Sequence, residues 1–524
     1  MELLMDGKKN FKDPNNIVIF FVLIFFLIYY LIFRWDSVFW APLTPTDASH
    51  YVEIAVHLTQ GEIFQSGGFP FGFPALLALS ILIMGPGSFS LQFPIIICLV
   101  LCLLVLYLIA KKKIGVLNSL ILVFLVGFSP YLLIYKGWVM SEIPFTLVFL
   151  FFVFLLDRNY NPYNHTANPF ENICIGISVG IGCMIRSVGY VLIPILLITQ
   201  LIHLFIENDY SKKKLFSLFT PYFVFALIYI PYLIIFRFWG QKYTSHTYGW
   251  WQWVYANISG YATCLTVYFP GGNYYWINSL FYTLFVCFLL YSLSVFFRKE
   301  YPIIISFFIY LIVITLWPFD QRERFILPVF PIFIYLAIRG IDHIQEVISR
   351  CFDHGNLRSR LSKVILPVIC VIFIFATLYC DIPLFVNQYH IFGEHQAIIQ
   401  RDEGNDIFRP YGYLNSLDTN ESMELFHYIK GNMEKTSTIA FQFNGYLMMY
   451  VGKFTPCGYP ITSSRDVELI PIAQKCHSDF IIIHNIDEDA IKILNSDTRY
   501  HRVFLNTIYS VYSHNILNST DNSN

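Results

Sequence analysis

Charged residues are scarce in this chain, and their scarcity excludes most soluble folds. Only 13% of the 524 residues are charged, whereas 56% are hydrophobic, and a soluble domain carries about 25% charged residues. The formal net charge of −1 provides no field that would attract nucleic acid, so no nucleic-acid partner is expected. The composition instead predicts a polytopic α-helical membrane protein, with the lipid bilayer as a binding partner.

Paired-cysteine motifs are missing as well. Eleven Cys are present without CxxC spacing, and most lie in apolar runs, so we interpret them as small buried hydrophobic residues rather than metal ligands. Cys457 and Cys476 lie in the polar C-terminal region, where a disulfide between them is an open alternative. That region also contains no nucleotide-binding loop and no nucleophile elbow.

Long apolar runs are abundant. The first, Ile17 to Phe33, is long enough to cross a bilayer at about 1.5 Å per residue. The bulky stretch RWDSVFW that follows has no small-residue cleavage site, which favours an uncleaved helix over a signal peptide. With the later runs, about eleven crossings are predicted. These runs lie at 89–110, 116–135, 142–156, 172–185, 188–206, 216–236, 277–297, 301–317, 325–339 and 364–380.

Lysine and arginine mark alternate loops of this predicted bundle. They occur at 8–12, 111–113, 158, 212–214, 298–299 and 358–363, whereas the intervening loops hold few basic residues. The positive-inside tendency predicts that the N-terminus is cytoplasmic in a plasma-membrane protein. The loops around Asp47, Glu142, Arg186 and Arg322 would then be outside, together with the C-terminal region.

The chain divides by composition into two predicted domains, 1–380 in the membrane and 381–524 outside it. The first outer loop, 34–88, is expected to form two short interfacial helices at 47–60 and 73–84, since the second is too short to span comfortably. In the outer domain, ESMELFHYIKGNM predicts a helix, and STIAFQF, DFIIIHN and HRVFLNTIYSVYSH predict strands. We expect a small α/β domain that acts as a lid or an acceptor-binding module.

Ionisable residues at the helix mouths are functional candidates because charges near hydrocarbon are costly, about 2.5–3.5 kcal/mol each. Asp47 precedes a helical stretch and could be a helix N-cap or a site carboxylate. Glu142 lies in SEIP, which also suits a helix start. Arg186 interrupts an apolar stretch beside Gly189, which permits a turn. Its anionic partner could be a structural carboxylate, or a phosphate bound in a bidentate fork.

Two further outer segments carry weaker signals. The segment WPFDQRERFILP places Arg322 and Arg324 at the outer end of another predicted helix. They could belong to a solvated interface or to a basic rim that binds a lipid phosphate. The loop 238–276 is rich in Trp and Tyr, which is typical of an interfacial belt and also of a sugar-stacking platform. Asn257, Asn420 and Asn518 match the N-glycosylation sequon, a pattern that often arises by chance.

The motifs TDASHYVEIAVHLTQGEIF, GFSPYLLIYKGWVMSEIPF, GISVGIGCMIRSVGYVLIP and RERFILPVFPIF follow one another in an order that resembles the GT-C superfamily of membrane glycosyltransferases. The similarity extends from about 17 to 340. It looks nearest to the bacterial and archaeal branch that is related to protein O-mannosyltransferases and lipid A aminoarabinose transferases. The resemblance implies an inverting glycosyltransferase that moves a sugar from a polyprenyl- or dolichyl-phosphate donor to a lipid, glycan or protein acceptor outside the cytoplasm.

The resemblance also implies roles for individual residues. Asp47 would be the catalytic base, and Glu142 would position the acceptor or share a metal ion. Arg186, with Arg322 or Arg324, would bind the donor phosphate. The remaining substrate-binding candidates are His50, Tyr51 and Lys136.

No cofactor is certain, and a divalent cation is an open alternative. Two departures from the family pattern stand out in the sequence. The frequent Asp-Glu pair is DA at Asp47, and Phe325 replaces the usual Tyr. The first departure argues against a protein O-mannosyltransferase proper.

A multi-pass transporter or lipid flippase is the main alternative. The sequence has no inverted repeat and no matched pair of broken helices, which transporters of that kind commonly have. The candidate charges also cluster at one membrane face rather than at the midplane. A non-catalytic scaffold is a third hypothesis. The joint presence of Asp47, Glu142 and Arg186 argues against it.

Overall fold

A computed structural model gives the fold of this chain. The residues that it describes are 14–32, 45–63, 69–161, 169–208, 211–236, 250–271, 274–317, 323–351, 364–381, 420–434, 437–441, 451, 455–456, 469–485 and 487–514.

The chain forms two compact units. The first comprises Met1–Arg34, Ile95–Lys136 and Ser141–Phe385, and the second comprises Trp35–Pro94, Gly137–Met140 and Val386–Asn524. The first outer loop is therefore grouped with the C-terminal region rather than with the helices that precede and follow it. The predicted domain division, 1–380 and 381–524, stays a prediction.

The first unit is a bundle of apolar helices. Five described helices are long and apolar enough to cross a bilayer, and several shorter ones are equally apolar, so a polytopic helical architecture is confirmed while the number of crossings stays a prediction. The bounds are α1 Pro14–Ile32, α4 Ser88–Gly127, α5 Pro130–Tyr135, α6 Glu142–Tyr160, α7 Pro169–Ile185, α8 Leu192–Glu207, α9 Lys212–Phe236, α10 Trp250–Cys264, α11 Tyr275–Phe296, α12 Tyr301–Thr315, α13 Glu323–Ile326, α14 Phe330–Cys351 and α15 Ile365–Ala376.

Helix α4 consists of two helical segments that meet at Gly115, as the two separate apolar runs predict. Between Ser88 and Gly127 the backbone is non-helical at Gly115, with φ 77° and ψ 171°. Glycine adopts this left-handed region without the steric cost that a Cβ would bring. The predicted division into two segments is thus confirmed, but the connection is a tight break at Gly115 rather than a loop at 111–113, which is helical.

The helices of the first unit place charged pairs at one end of the bundle. Cys102 contacts the carbonyl of Ile143 at 3.9 Å and Lys113 reaches Asp157 at 2.7 Å, so the first part of α4 runs in the same direction as α6. Arg158 and Glu171 join the end of α6 to the start of α7 at 2.6 Å. Glu142 and Asp157 therefore lie at opposite ends of α6, about 22 Å apart along its axis.

The second unit contains the two predicted helices of the first outer loop. They are α2 Pro45–Thr59 and α3 Gly72–Met84. Tyr51 of α2 meets Phe73 of α3 edge to face, with ring centroids 4.9 Å apart. The exposed side chains of α3 include Leu79, Leu82 and Ile83, as an interfacial helix requires.

The C-terminal part of the second unit is a five-stranded sheet with helices. The elements are α16 Asn420–Asn432, β1 Thr438–Ala440, β2 Thr455–Pro456, α17 Leu469–Lys475, β3 Phe480–His484, α18 Glu488–Ser496, β4 Tyr500–Leu505 and β5 Tyr509–His514. The strand order is β2-β1-β3-β5-β4. Strands β1, β2 and β3 are parallel, and β4 and β5 form an antiparallel hairpin beside β3.

This sheet agrees with the predicted strands and adds elements that the sequence did not indicate. HRVFLNTIYSVYSH forms two strands rather than one, and helices α17 and α18 were not predicted. Buried Ile481, Ile483 and Leu494 lie in the shared apolar core. Hydrogen bonds from exposed Arg499 lower the pKa of the Asp497 carboxyl.

The cysteine interpretation is confirmed in part. Cys98, Cys102, Cys183 and Cys370 are buried and free. Cys476 is exposed and free, but Cys457 lies outside the described residues, so a disulfide between these two stays untested.

Candidate functional site

Glu142 is the centre of an ion-pair cluster at one end of the first unit. Its Oε1 lies 2.5 Å from Arg186 Nη1 and 2.7 Å from Arg324 Nε. The two arginines come from parts of the chain that are far from each other and from Glu142. Of the two predicted partners for Arg186, the structure shows a carboxylate, that of Glu142. Charged residues predicted at the ends of three different helices thus come together in one cluster.

The position of Glu142 follows from the start of α6. It is the first residue of that helix, after Ser141 in the N-cap position, whose side chain makes no capping hydrogen bond. A carboxylate in the first turn is favoured by the unpaired N–H groups and the macrodipole there. The prediction that SEIP begins a helix is thus confirmed, and the same residue also serves the cluster.

Arg186 lies on a break between two helices. Helix α7 ends at Ile185, Arg186 is extended with φ −146° and ψ 144°, and a 3₁₀ turn Ser187–Val191 leads into α8. A Cβ on Gly189 would lie 2.3 Å from the carbonyl oxygen of Gly182. Only glycine allows this close approach, which folds the chain back on itself and projects the Arg186 side chain out of the helix line.

Arg324 lies on the single-turn helix α13, and the residue after it completes the cluster. The Arg186 guanidinium lies over the ring of Phe325, with its Cζ 5.1 Å from the ring centroid. Attraction between a guanidinium and an aromatic face is expected at this distance. Phe325, noted in the sequence only as a departure from the family pattern, therefore contacts a site residue.

The cluster is sealed on its acidic side and accessible on its basic side. The Glu142 side chain is 0% exposed, whereas those of Arg186 and Arg324 are 11% and 14% exposed. A ligand that reaches this place would therefore meet guanidinium groups before it met the carboxylate.

Two buried tyrosines that the sequence did not single out face this cluster. Tyr135 interacts electrostatically with Glu142 and both arginines, and Tyr310 interacts with Arg186 and Glu142. Tyr135 follows the apolar stretch PYLLI and Tyr310 lies in the apolar run SFFIYLIVI, so no local pattern separates them from packing residues. Lys136, the predicted substrate-binding residue next to Tyr135, is 2% exposed.

The predicted residues of the first outer loop belong to the second unit. Asp47 is the third residue of α2, which begins at Pro45, so it lies inside the first turn rather than before the helix. Its side chain lies outside the described residues. His50 stacks on Phe69 with ring centroids 5.5 Å apart and lies 3.4 Å from Glu53, and Tyr51 is buried.

The remaining site predictions are not tested. Arg322 lies outside the described residues, so its place in a basic rim stays a prediction. Within the described ranges, no group of three or more His, Cys, Asp or Glu could hold a metal ion. Glu142 meets guanidinium groups, which does not suit a metal ligand, and the divalent-cation alternative stays open.

Asn257 is buried between helices, so its side chain is not exposed as an accessible N-glycosylation site would be. Its Nδ2 donates to the carbonyl oxygens of Thr315 at 3.0 Å and Trp317 at 2.9 Å, and the residue is 1% exposed. Around it, Trp251 and Tyr255 are exposed, as both the belt and the platform interpretations require. The side chain of Asn420 and all of Asn518 lie outside the described residues.

Comparisons with known proteins place this geometry in a wider group. Residues 69–240, about a third of the chain, match the family model of dolichyl-phosphate-mannose-protein mannosyltransferases. A search of curated proteins found no match.

Solved structures give longer similarities. ArnT from Cupriavidus metallidurans, bound to undecaprenyl phosphate, has a TM-score of 0.62 at 11% identity, over 94% of this chain and 97% of that chain. The Archaeoglobus fulgidus oligosaccharyltransferase, in complex with Zn and sulfate, has a TM-score of 0.54 at 14% identity, over 94% of this chain and 73% of that chain. At such identities the similarity establishes the fold.

Proposed function

We propose that this chain, which has the fold of the GT-C membrane glycosyltransferases, transfers a sugar from a polyprenyl- or dolichyl-phosphate donor to a hydroxyl acceptor outside the cytoplasm. The single observation that carries the proposal is the convergence of Arg186 and Arg324 on Glu142, with the guanidinium groups accessible and the carboxylate sealed. Guanidinium forks match phosphate oxygens in shape and charge.

The reaction explains why two arginines are useful. The acceptor oxygen forms a bond to the anomeric carbon while the bond between that carbon and the phosphate oxygen breaks. The phosphodiester donor carries one negative charge, and the polyprenyl phosphate that leaves carries an additional one. Groups placed where this charge develops stabilise the transition state more than the ground state. Arg186 and Arg324 would fill this role.

Asp47 is the proposed base. Its carboxylate would take the proton of the acceptor hydroxyl as the new bond forms, and a single displacement of this kind inverts the anomeric configuration. The proposal rests on the family pattern at Asp47 and on its place in the first turn of α2.

Glu142 receives a different role from the predicted one. A residue that positions an acceptor has to reach it, and Glu142 is 0% exposed and contacts both arginines. We therefore assign to Glu142 the task of holding the two guanidinium groups at a fixed separation. The carboxylate also offsets part of their charge while no donor is bound.

The extracytoplasmic location rests on the charge asymmetry of the first unit. Three basic residues pair with carboxylates at the end of the helical bundle that lies away from Glu142. They are Lys113, Arg158 and Lys214. Lysine and arginine favour the cytoplasmic side, so the Glu142 cluster would lie on the outer side.

Release of polyprenyl phosphate from a radiolabelled polyprenyl-phosphate sugar, with purified protein in lipid nanodiscs, tests the proposal. We expect Asp47→Asn to reduce release about 10²–10⁴-fold, the contribution of a general base. The matched control is Glu62→Gln, an acidic residue of the same outer loop that pairs with His57, and it should release normally. Full activity of Asp47→Asn would remove that residue from the mechanism, and a transporter or flippase would release no polyprenyl phosphate at all.

A further inference from the structure

Phe325 lies between a candidate phosphate-binding arginine and a second aromatic residue. One face of its ring meets the Arg186 guanidinium, at 5.1 Å from Cζ to the centroid. Trp317 contacts the same ring edge to face, with centroids 5.8 Å apart and an interplanar angle of 74°. Phe325 is 5% exposed, so this arrangement is packed rather than loose.

Trp317 is itself held by the outer helix α10. The carbonyl groups at the end of a helix have no partner within the helix. At the end of α12, the carbonyls of Thr315 and Trp317 accept both N–H groups of Asn257. The contacts thus form a continuous series from Asn257 through Trp317 and Phe325 to Arg186, all within the first unit.

We propose that Phe325 is a positioning residue that fixes the plane of the Arg186 guanidinium, with Trp317 and Asn257 supporting the ring. This inference rests on the proposed function and deepens it. A guanidinium is planar, with N–H donors along its edge and a π face above and below. The Glu142 carboxylate lies 2.5 Å from Nη1 and the Phe325 ring lies against the face of the guanidinium, and together these two contacts restrict the orientation in which its donors would meet a phosphate.

The inference assigns the effect to the aromatic ring rather than to a hydrogen bond. Phe325→Tyr and Phe325→Trp keep a ring on the guanidinium and should preserve donor binding. Phe325→Leu removes the ring while keeping an apolar side chain. A merely structural role would make Leu and Tyr differ only in stability, whereas a positioning role makes them differ in affinity for phosphate.

The experiment measures the Kd of decaprenyl phosphate for the full-length protein in nanodiscs, together with the melting temperature of each variant. Phe325→Leu should weaken binding about 3- to 30-fold, the range expected for a lost cation–π contact. Phe325→Tyr should stay within about twofold of the native protein. The matched control is Phe296→Leu, since Phe296 lies under the Arg339 guanidinium at 4.0 Å and has no part in the proposed site.

Arg186→Ala separates the two levels of the argument. It should weaken binding about tenfold or more, because a charge-assisted contact is lost. If Arg186→Ala binds decaprenyl phosphate as the native protein does, the proposed function fails. If Arg186→Ala loses binding while Phe325→Leu retains it, the function stands and the positioning role is overturned. Should Phe325→Leu fail to fold, Phe325→Met, which conserves volume without a ring, provides the same comparison.

Discussion

Glu142 joins two arginines through a carboxylate that is buried away from water. A buried ion pair is costly to assemble and more costly to break, because the charge left behind has no compensation. Both arginines share Oε1, so one substitution at Glu142 affects three charges. This makes Glu142 a residue whose stability effect and activity effect can be measured separately.

We expect Glu142→Ala to lower the free energy of unfolding by about 3–5 kcal/mol, the range for a broken buried pair, and to abolish sugar transfer. Glu142→Gln keeps the shape and should fall between Ala and the native residue in melting temperature. The thermal denaturation of purified variants in detergent measures this. Glu171→Gln, in the partly exposed pair with Arg158, is the control and should cost less. A Glu142→Gln variant with native stability and no activity would instead favour a direct role in catalysis.

The residues of this cluster were predictable, but their pairing was not. Glu142, Arg186 and Arg324 are recognisable because a charge in apolar sequence is costly. Nothing local indicates that Arg324 reaches a carboxylate 182 positions earlier in the chain. The aromatic contributors Tyr135, Tyr310 and Phe325 resemble packing residues in a sequence with 19% aromatics. Asn257 matched a surface motif and proved to be buried.

The helices that carry the site residues begin and end close to where the sequence indicates. The starts of α6 and α8 and the break at Arg186 follow from SEIP and from the Gly-containing turn. The connection at Gly115 was predicted as a loop, because a lysine run between apolar segments does not indicate that a single glycine can connect them. Glycines that are needed for close approach can be told from the others only once the neighbouring backbone is known.

Gly189 gives a prediction at this scale. Because a Cβ there would lie 2.3 Å from the Gly182 carbonyl oxygen, Gly189→Ala must push α7 and the 3₁₀ turn apart and displace Arg186. We expect a loss of sugar transfer and a lower melting temperature. The control is Gly260→Ala in α10, where a Cβ would meet nothing within 4 Å. That change should be neutral or stabilise by about 0.5–1 kcal/mol. Equal behaviour of the two variants would contradict the role given to the Gly182–Gly189 approach.

At the scale of the whole molecule, the resemblance to the GT-C superfamily is confirmed by the family-model match and the structural similarity. The sequence was sufficient for this because an ordered set of loose motifs is more specific than any one of them. The count of about eleven crossings, the domain division and the orientation in the membrane stay predictions. They depend on the bilayer and on contacts between distant segments, which local sequence patterns do not specify.

The orientation can be measured with single-cysteine reporters in a background without native cysteines. Lys112→Cys lies at the Lys-rich end of the helical bundle, and Glu488→Cys lies on the exposed surface of α18, where the native side chain is 80% exposed. A membrane-impermeant maleimide should label Glu488→Cys in intact cells and Lys112→Cys only after permeabilisation. The reverse pattern would place the Glu142 cluster on the cytoplasmic side.

The buried amide of Asn257 has a practical consequence for producing this protein. Its Asn-Ile-Ser sequence is an acceptor for N-linked oligosaccharide in eukaryotic secretory cells, yet in the folded chain the same nitrogen donates to two backbone oxygens and is 1% exposed. A yeast or mammalian host could attach an oligosaccharide there only before the helices assemble. A retarded gel band that peptide N-glycosidase removes would thus mark molecules that never matured, and replacing Asn257 to sharpen the band would harm the material it was meant to improve.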